Sequence, residues 1–385
     1  MRSAIVPLWK TWLLPLLTAV ALLVSLSSTA FAQSTTFQSI PPVAIGTLNA
    51  VSTSSTTDTW AVGLQFKNAN TIIDTLAQHW NGHAWTVVST PSPHNNVDIL
   101  SAVADLSPTN AWAVGNGSGS NGFSDALIEH FNGTSWHVVA PPADNGNLED
   151  SLSAISALSA NDIWAAGSHF DATIGGTDGL FEHWNGTAWS IVPSPSTFTQ
   201  NGVEFAVGAI TSLTAISSND VWAATTVGNN NPVAFEHWNG TQWSLIFAPG
   251  VTNSSANIAS LAASSSNDVW AVGTSRASGR RKPTLTLIEH WDGNAWSIVP
   301  SPALSTPSGF LSGVTALSRT DAWAVGGTFT GIPVVEHWDG NQWSLVSVPI
   351  STGANANNQL SAISSLSSGT VIAVGNEVAI LNTNG

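Results

Sequence analysis

The 385-residue chain has no cysteine and no tyrosine, one methionine, and only 8 Lys and Arg against 23 Asp and Glu. Without cysteine there can be neither a disulfide framework nor a lipid-modified cysteine, so packing alone must hold the fold. The scarcity of positive charge argues against nucleic acid and anionic membrane surfaces as partners. Long apolar runs are also lacking, with one exception near the N-terminus. Residues 1–32 read as a cleaved secretory signal: Arg2 and Lys10, an apolar run from Trp12 to about Leu26, then Ala30-Phe31-Ala32 as a small-x-small site. That run is shorter than the roughly 20 residues a spanning helix needs. Removing the segment leaves six basic residues against 23 acidic ones, a net charge of −17. The expectation is a secreted, extracellular monomer free of the membrane.

What the chain does have is tryptophan, 19 in all, within a composition that is 43% hydrophobic and only 8% charged. A chain this apolar can fill a large core despite its Gly, Ser, Thr and Asn content. Seventeen of the tryptophans recur in register. "TDTWAVG" at Trp60 returns at Trp112, Trp164, Trp222, Trp270 and Trp323, at intervals of 52, 52, 58, 48 and 53. "QHWNGHAW" likewise returns as "EHFNGTSW", "EHWNGTAW", "EHWNGTQW", "EHWDGNAW" and "EHWDGNQW". A period near 50 means one supersecondary unit repeated.

Each unit reads as four short strands: an alternating first strand such as "SLSAISALS", then "DIWAAG", "GLFEHW" and "AWSIVPSP", the last ended by prolines that cannot continue a ladder. Asn-Gly or Asp-Gly between strands three and four marks a hairpin. Four antiparallel strands per unit make a propeller blade. The expected fold is an all-β, seven-bladed β-propeller, one domain over residues 33–385. Blades one to six span about 46–98, 99–150, 151–209, 210–257, 258–309 and 310–359. Residues 360–385 supply three strands of blade seven, and residues 35–44, with Phe37 in a tryptophan slot, supply its fourth and close the ring.

In these motifs the chain resembles the kelch-type propeller family, where a strand-two glycine motif is followed by an aromatic, then a tryptophan about six residues on, then prolines. "WAVG", "HWNG", "AW" and "VPSP" hold those places, with one Gly for the family's pair and Trp or His for its Tyr. The resemblance implies architecture, since kelch-type rings host unrelated activities.

The repeated residues read as scaffold. Trp184 and Trp189 should share one sheet face and His183 take the other; Trp164 fills the strand-two slot. Identity in every blade favours interblade packing over a glycan platform. The histidines cannot converge on one metal and read as structural, held by the neighbouring glutamates such as Glu182. Asp58, Asp162, Asp220, Asp268 and Asp321 read as turn acceptors for backbone N–H groups. Asn49, Ser101, Ser153, Thr211, Ala259, Ser312 and Ser361 share an innermost slot, suited to strands crowding at an axis.

Function should lie where the blades differ, in the loops joining strands two to three and each fourth strand to the next blade, which share one side of the disc. Two loop groups stand out. Asp144, Glu149, Asp150, Asp171 and Asp178 form an acidic set that reads as solvated surface, with Ca2+ binding as the alternative and no other cofactor or metal expected. Arg276, Arg280, Arg281 and Lys282 gather four of the six basic residues into one loop, an exposed tip or a dock for an acidic partner. The expected function is non-enzymatic binding or scaffolding of an extracellular protein or glycan. The alternative is a carbohydrate-active hydrolase or lyase using loop-face carboxylates. The lack of Tyr and Cys excludes the copper-radical chemistry of kelch-type oxidases and the tyrosine nucleophile of a sialidase-like site. No nucleophile, base and orienter trio can be assembled from the sequence.

Overall fold

The computed structural model describes residues 38–40, 46–67, 72–94, 96–118, 123–142, 149–171, 175–200, 202–227, 233–249, 254–279, 282–349, 358–375 and 379–382. The expected signal segment, Phe37, Asp144, Arg280 and Arg281 lie outside them.

Six four-stranded antiparallel blades follow one another. Blade one comprises Gly46–Ser55, Asp58–Lys67, Ile72–Trp80 and Trp85–Val88; blade two, Asp98–Ser107, Asn110–Ser118, Ser124–Phe131 and Trp136–Val139. Blade three is Asp150–Ser159, Asp162–Asp171, Gly176–Trp184 and Trp189–Ile191; blade four, Val203–Ser217, Asp220–Val227, Ala234–Trp238 and Trp243–Phe247. Blade five is Ser254–Ser265, Asp268–Ala277, Thr284–Trp291 and Trp296–Ile298; blade six, Gly309–Ser318, Asp321–Thr328, Pro333–Trp338 and Trp343–Leu345. The stretch before blade four, read from sequence as a loop, holds an extra strand, Thr197–Gln200, paired with the start of that blade's long first strand.

The expected count of seven blades is corrected: six blades are built on the repeat. The chain ends contribute instead a small composite sheet in the order Gln38–Ile40, Ala379–Asn382, Val371–Gly375, Leu360–Ser365. Its N-terminal strand pairs Gln38 with Leu381 and Ile40 with Ala379. The physical reason is sequence: Thr370 and Ile372 stand in the Asp and Trp slots of strand two, and by register Leu381 and Asn382 stand in the His and Trp slots of strand three. This sheet therefore cannot build the aromatic seam that joins one blade to the next. Trp323 of blade six packs on Leu360, Ile363, Val371 and Ala373, and Trp80 and Trp85 of blade one pack with Ile372 and Val374.

Between the repeat blades the seam is indole on indole. Trp60 of blade one meets Phe131 and Trp136 of blade two at ring separations of 4.7 and 5.0 Å. Trp112 meets Trp184 and Trp189, Trp164 meets Trp238 and Trp243, Trp222 meets Trp291 and Trp296, and Trp270 meets Trp338 and Trp343. Edge and tilted geometries like these suit the aromatic quadrupole. The strand three to four loop has four residues, since Trp184 pairs directly with Trp189 and the Asn185 N–H donates to the Ala188 carbonyl at 3.3 Å. Gly186 takes φ 94°, and the Asn185 side-chain oxygen accepts from the N–H groups of Thr187 and Ala188.

Towards the axis each first strand is bulged, for example between Leu48 and Ala50. The bulge presses a strand-one carbonyl onto the strand-two glycine: a Cβ on Gly167 would collide with the Ser151 oxygen, and one on Gly115 with the Ile99 oxygen. The glycine of "WAVG" is thus required by close approach. Blade four has Thr225 there; its first strand carries an additional register shift between Val207 and Ile210, and the threonine hydroxyl donates to the Gly208 carbonyl. The small innermost residues stitch blades together: Asn49 donates to the Leu100 carbonyl (2.9 Å), Ser153 to Ile210 (2.6 Å), Thr211 to Ile258 (2.8 Å) and Ser312 to Leu360 (2.6 Å).

Candidate functional site

The repeated polar residues belong to the scaffold, with partners different from those expected. His183 Nε2 meets Asp162 Oδ1 at 2.8 Å, and its ring lies 4.6 Å from that of Trp164. The other blades repeat the arrangement: His79–Asp58 (2.7 Å), His237–Asp220 (2.8 Å), His290–Asp268 (2.7 Å), His337–Asp321 (3.0 Å), and His130 on Asn110 (3.0 Å). Burial alone would raise the Asp220 carboxyl, but hydrogen bonds from His237 and Ser266 outweigh it and hold it low. The aspartates therefore accept from imidazole, and the neighbouring glutamates point to the other face of the strand, as strict alternation demands.

Those glutamates are buried in the seams. Glu236 of blade four accepts from Ser194 in the linker after blade three, and Glu336 of blade six from Ser301 in the linker after blade five at 2.9 and 3.1 Å. At Glu129 and Glu289 both carboxyl oxygens lack a hydrogen-bond partner. Burial pushes Glu129, Glu182 and Glu289 up to about 8, and Glu236 and Glu336, each relieved by its serine, up to about 7.

The loop face holds chemistry that the repeat does not explain. On blade three, Asp150, His169 and Asp178 are cross-strand neighbours in one row, and Asp171, two residues beyond His169, projects from the same face. One ligand atom from each of His169, Asp171 and Asp178 lies within 4.8 Å of the others. Asp178 is 7% exposed and accepts the Gly179 N–H at 2.8 Å. Burial raises its carboxyl, opposed by that N–H and by His169. His169 Nδ1 is buried without a hydrogen-bond partner.

Blade two reaches a similar layout by another route. Its row is Asp98, Gly117, Asp125, with glycine in the middle. A Cβ on Gly117 would strike His94 and Asp98, because the His94 imidazole, arriving from the linker after blade one, fills the vacant slot. His94 Nδ1 meets Asp98 Oδ1 at 2.6 Å, the His94 backbone N–H donates to Asp98 Oδ2 at 3.0 Å, and Nε2 stands 3.8 Å from Asp125. Asp98 is fully buried.

Further round, a cleft of about 270 Å³ opens on the loop face between blades four and five. It is lined by six Thr or Ser residues, among them Thr226, Ser255, Thr274 and Thr284, together with Asn257, Arg276 and four apolar residues. Of the residues singled out from sequence, Asp171 and Asp178 come together and Asp150 flanks them, while Glu149 is exposed beside it. Arg276 lines the cleft and Lys282 is exposed nearby on the same blade. The acidic and basic groups do not converge, since blade four separates them. His94, His169 and the Thr/Asn wall were missed; "SHFD" at 168–171, which places His and Asp on one strand face, was the available signal for His169.

No protein-family model matches the chain, and no curated protein matches its sequence. Solved structures do. The chain is similar to YCF48 bound to a D1 peptide (14% identity, 90% of this chain and 96% of that one, TM-score 0.56). It is similar to the WD40 propeller domain of Doa1 (12% identity, 90% and 97%, TM-score 0.55). A polysaccharide lyase, an ulvan lyase bound to a glucuronate–rhamnose sulfate unit, aligns with 10% identity over 90% and 96% of the chains, TM-score 0.58. At such identities the likeness concerns fold alone, and it agrees with the sheet order: this chain is an all-β repeat protein of the propeller fold.

Proposed function

We propose that the protein is a secreted, non-enzymatic binding propeller of kelch-like organisation that takes an acidic glycan in the cleft between blades four and five. The observation that carries this reading is the cleft's lining: six Thr or Ser residues, one Asn and one Arg beside four apolar residues, in a concave site of about 270 Å³. Hydroxyl and amide groups exchange hydrogen bonds with sugar hydroxyls, and a guanidinium grips a carboxylate or sulfate in two-pronged fashion. In a chain with 8 basic residues, an Arg placed in a cleft marks that cleft for negative charge. The N-terminal charge, apolar run and small-x-small pattern support secretion. Screening the secreted protein on a glycan array, then measuring affinity of Arg276→Ala, tests it. The expected result is binding to uronate- or sulfate-bearing glycans, weakened about tenfold or more by Arg276→Ala, consistent with a charge-assisted hydrogen bond. Binding that Arg276→Ala leaves unchanged refutes it.

One observation favours the alternative carbohydrate-active reading. His94 is oriented through Nδ1 by the buried Asp98 and presents Nε2 towards the loop-face Asp125, the arrangement of a general base. Polysaccharide cleavage abolished by His94→Ala would establish that reading.

A further inference from the structure

We infer that His169, Asp171 and Asp178 on blade three form a binding site for a divalent transition metal of the zinc or manganese kind. The site stands apart from the blade four to five cleft, and its test is independent of glycan binding.

Strand geometry assembles the donors before any ion arrives. His169 and Asp171 are two apart on one strand and so share a face; Asp178 is the direct cross-strand partner of His169 on the next strand. Their ligand atoms lie within 4.8 Å of one another, so side-chain rotation alone can bring them to the roughly 2.0–2.2 Å metal distances typical of nitrogen and carboxylate ligands.

A second, independent observation comes from blade two. There the same layout of an imidazole between two aspartates is closed by a 2.6 Å hydrogen bond from His94 Nδ1 to Asp98. On blade three no such closure is made: His169 Nδ1 is shielded from solvent and makes no hydrogen bond to protein, and the cross-strand neighbour of its residue, Asp178, is 93% buried. Protein interiors seldom leave a buried imidazole nitrogen unmatched, and a metal ion is an acceptor of its lone pair.

The donor set chooses the ion. Ca2+ takes six to eight oxygen ligands, and an imidazole in the inner set disfavours it. One nitrogen with two carboxylates suits zinc, manganese or cobalt, and two negative charges balance a divalent cation. Three protein ligands leave open positions for water or for an oxygen of an incoming ligand. Asp150, beside His169 on the other neighbouring strand, adds negative charge to the same face.

The experiment uses the full secreted chain, stripped with chelator, and titrates Zn2+ by calorimetry at pH 7, with and without millimolar Ca2+. The expected result is one zinc per chain, insensitive to Ca2+, with affinity lowered about tenfold or more in His169→Ala and in Asp178→Asn, at least the loss seen when even outer-shell support of a metal site is removed. His94→Ala should retain the site. Cobalt substitution adds a spectroscopic readout, since the d–d bands of bound Co2+ report its N/O coordination. Circular dichroism monitors folding, and Asp171→Asn, at the half-buried end of the hairpin, serves if another variant does not fold. Absence of saturable zinc binding, wild-type affinity in the three site variants, displacement by Ca2+, or loss in His94→Ala alone each overturns the inference.

Discussion

Replacing Glu289 by glutamine isolates the consequence of burying a carboxyl without a partner. The side chain is fully buried, neither oxygen accepts a hydrogen bond, and burial lifts it from 4.5 to about 8. Blade one already carries a buried Gln78 in the equivalent slot, so the seam accommodates the amide. In the unfolded chain the carboxyl ionises near pH 4.5, in the folded ring near pH 8. Below pH 4.5 both states are protonated and nothing is lost. Between the two values the folded state binds the extra proton, so stability falls as pH rises, at about 1.4 kcal/mol per unit and to a ceiling of ~5 kcal/mol from this residue. Above pH 8 both states are ionised and the loss stops growing. Glu129 and Glu182, also near 8, and Glu236 and Glu336, near 7, act with the same sign, as does Asp105, which burial lifts to about 8. Guanidinium unfolding followed by tryptophan fluorescence at pH 5, 6.5 and 8.5 reads the effect directly. The wild type should weaken across this range, and Glu289→Gln should match it within about 1 kcal/mol at pH 5 yet exceed it by ~2–5 kcal/mol at pH 8.5. Wild-type stability that climbs with pH, or a Glu289→Gln effect of equal size at both ends, refutes the reasoning.

Two further outcomes follow from the packing. Gly167→Ala should lower stability by about 3 kcal/mol or more, because its Cβ meets the Ser151 carbonyl, while Gly176→Ala, with nothing near its Cβ, should be almost neutral; thermal melts of the pair check this. Deleting residues 33–43 removes the strand that pairs Gln38–Ile40 with Ala379–Leu381, and should lower the melting temperature of the whole ring; an unchanged melt argues that this pairing carries no stability.

The repeat was legible in sequence because its signals are local. Two tryptophans flanking Asn-Gly-Thr-Ala or a variant of it specify the hairpin within eight residues, and alternation then fixes which face each indole takes. The partners of His183 were not legible in the same way. Asp162 lies 21 residues away, and choosing it over the adjacent Glu182 requires knowing that the turn between strands one and two runs beside the third strand. The reduced closing sheet was misjudged as a full blade because strand count is visible in sequence, whereas the effect of Ile372 in a tryptophan slot appears only once the neighbouring blade stands against it. At the loop face, Asp171 and Asp178 were found by composition alone. His94 escaped notice because its place depends on an empty glycine slot at Gly117, 23 residues downstream.

The composite sheet also sets an order of events during synthesis. Residues 38–40 are among the first of the described chain to be made, and their strand partners, residues 379–382, among the last. Each of the six repeat blades can form from a contiguous stretch of about 50 residues as it emerges, whereas the N-terminal strand must wait through more than 300 residues for its mate. Ring closure is thus the highest contact-order step of folding, and in the interval the open ends of the blade array depend on whatever keeps exposed strand edges apart.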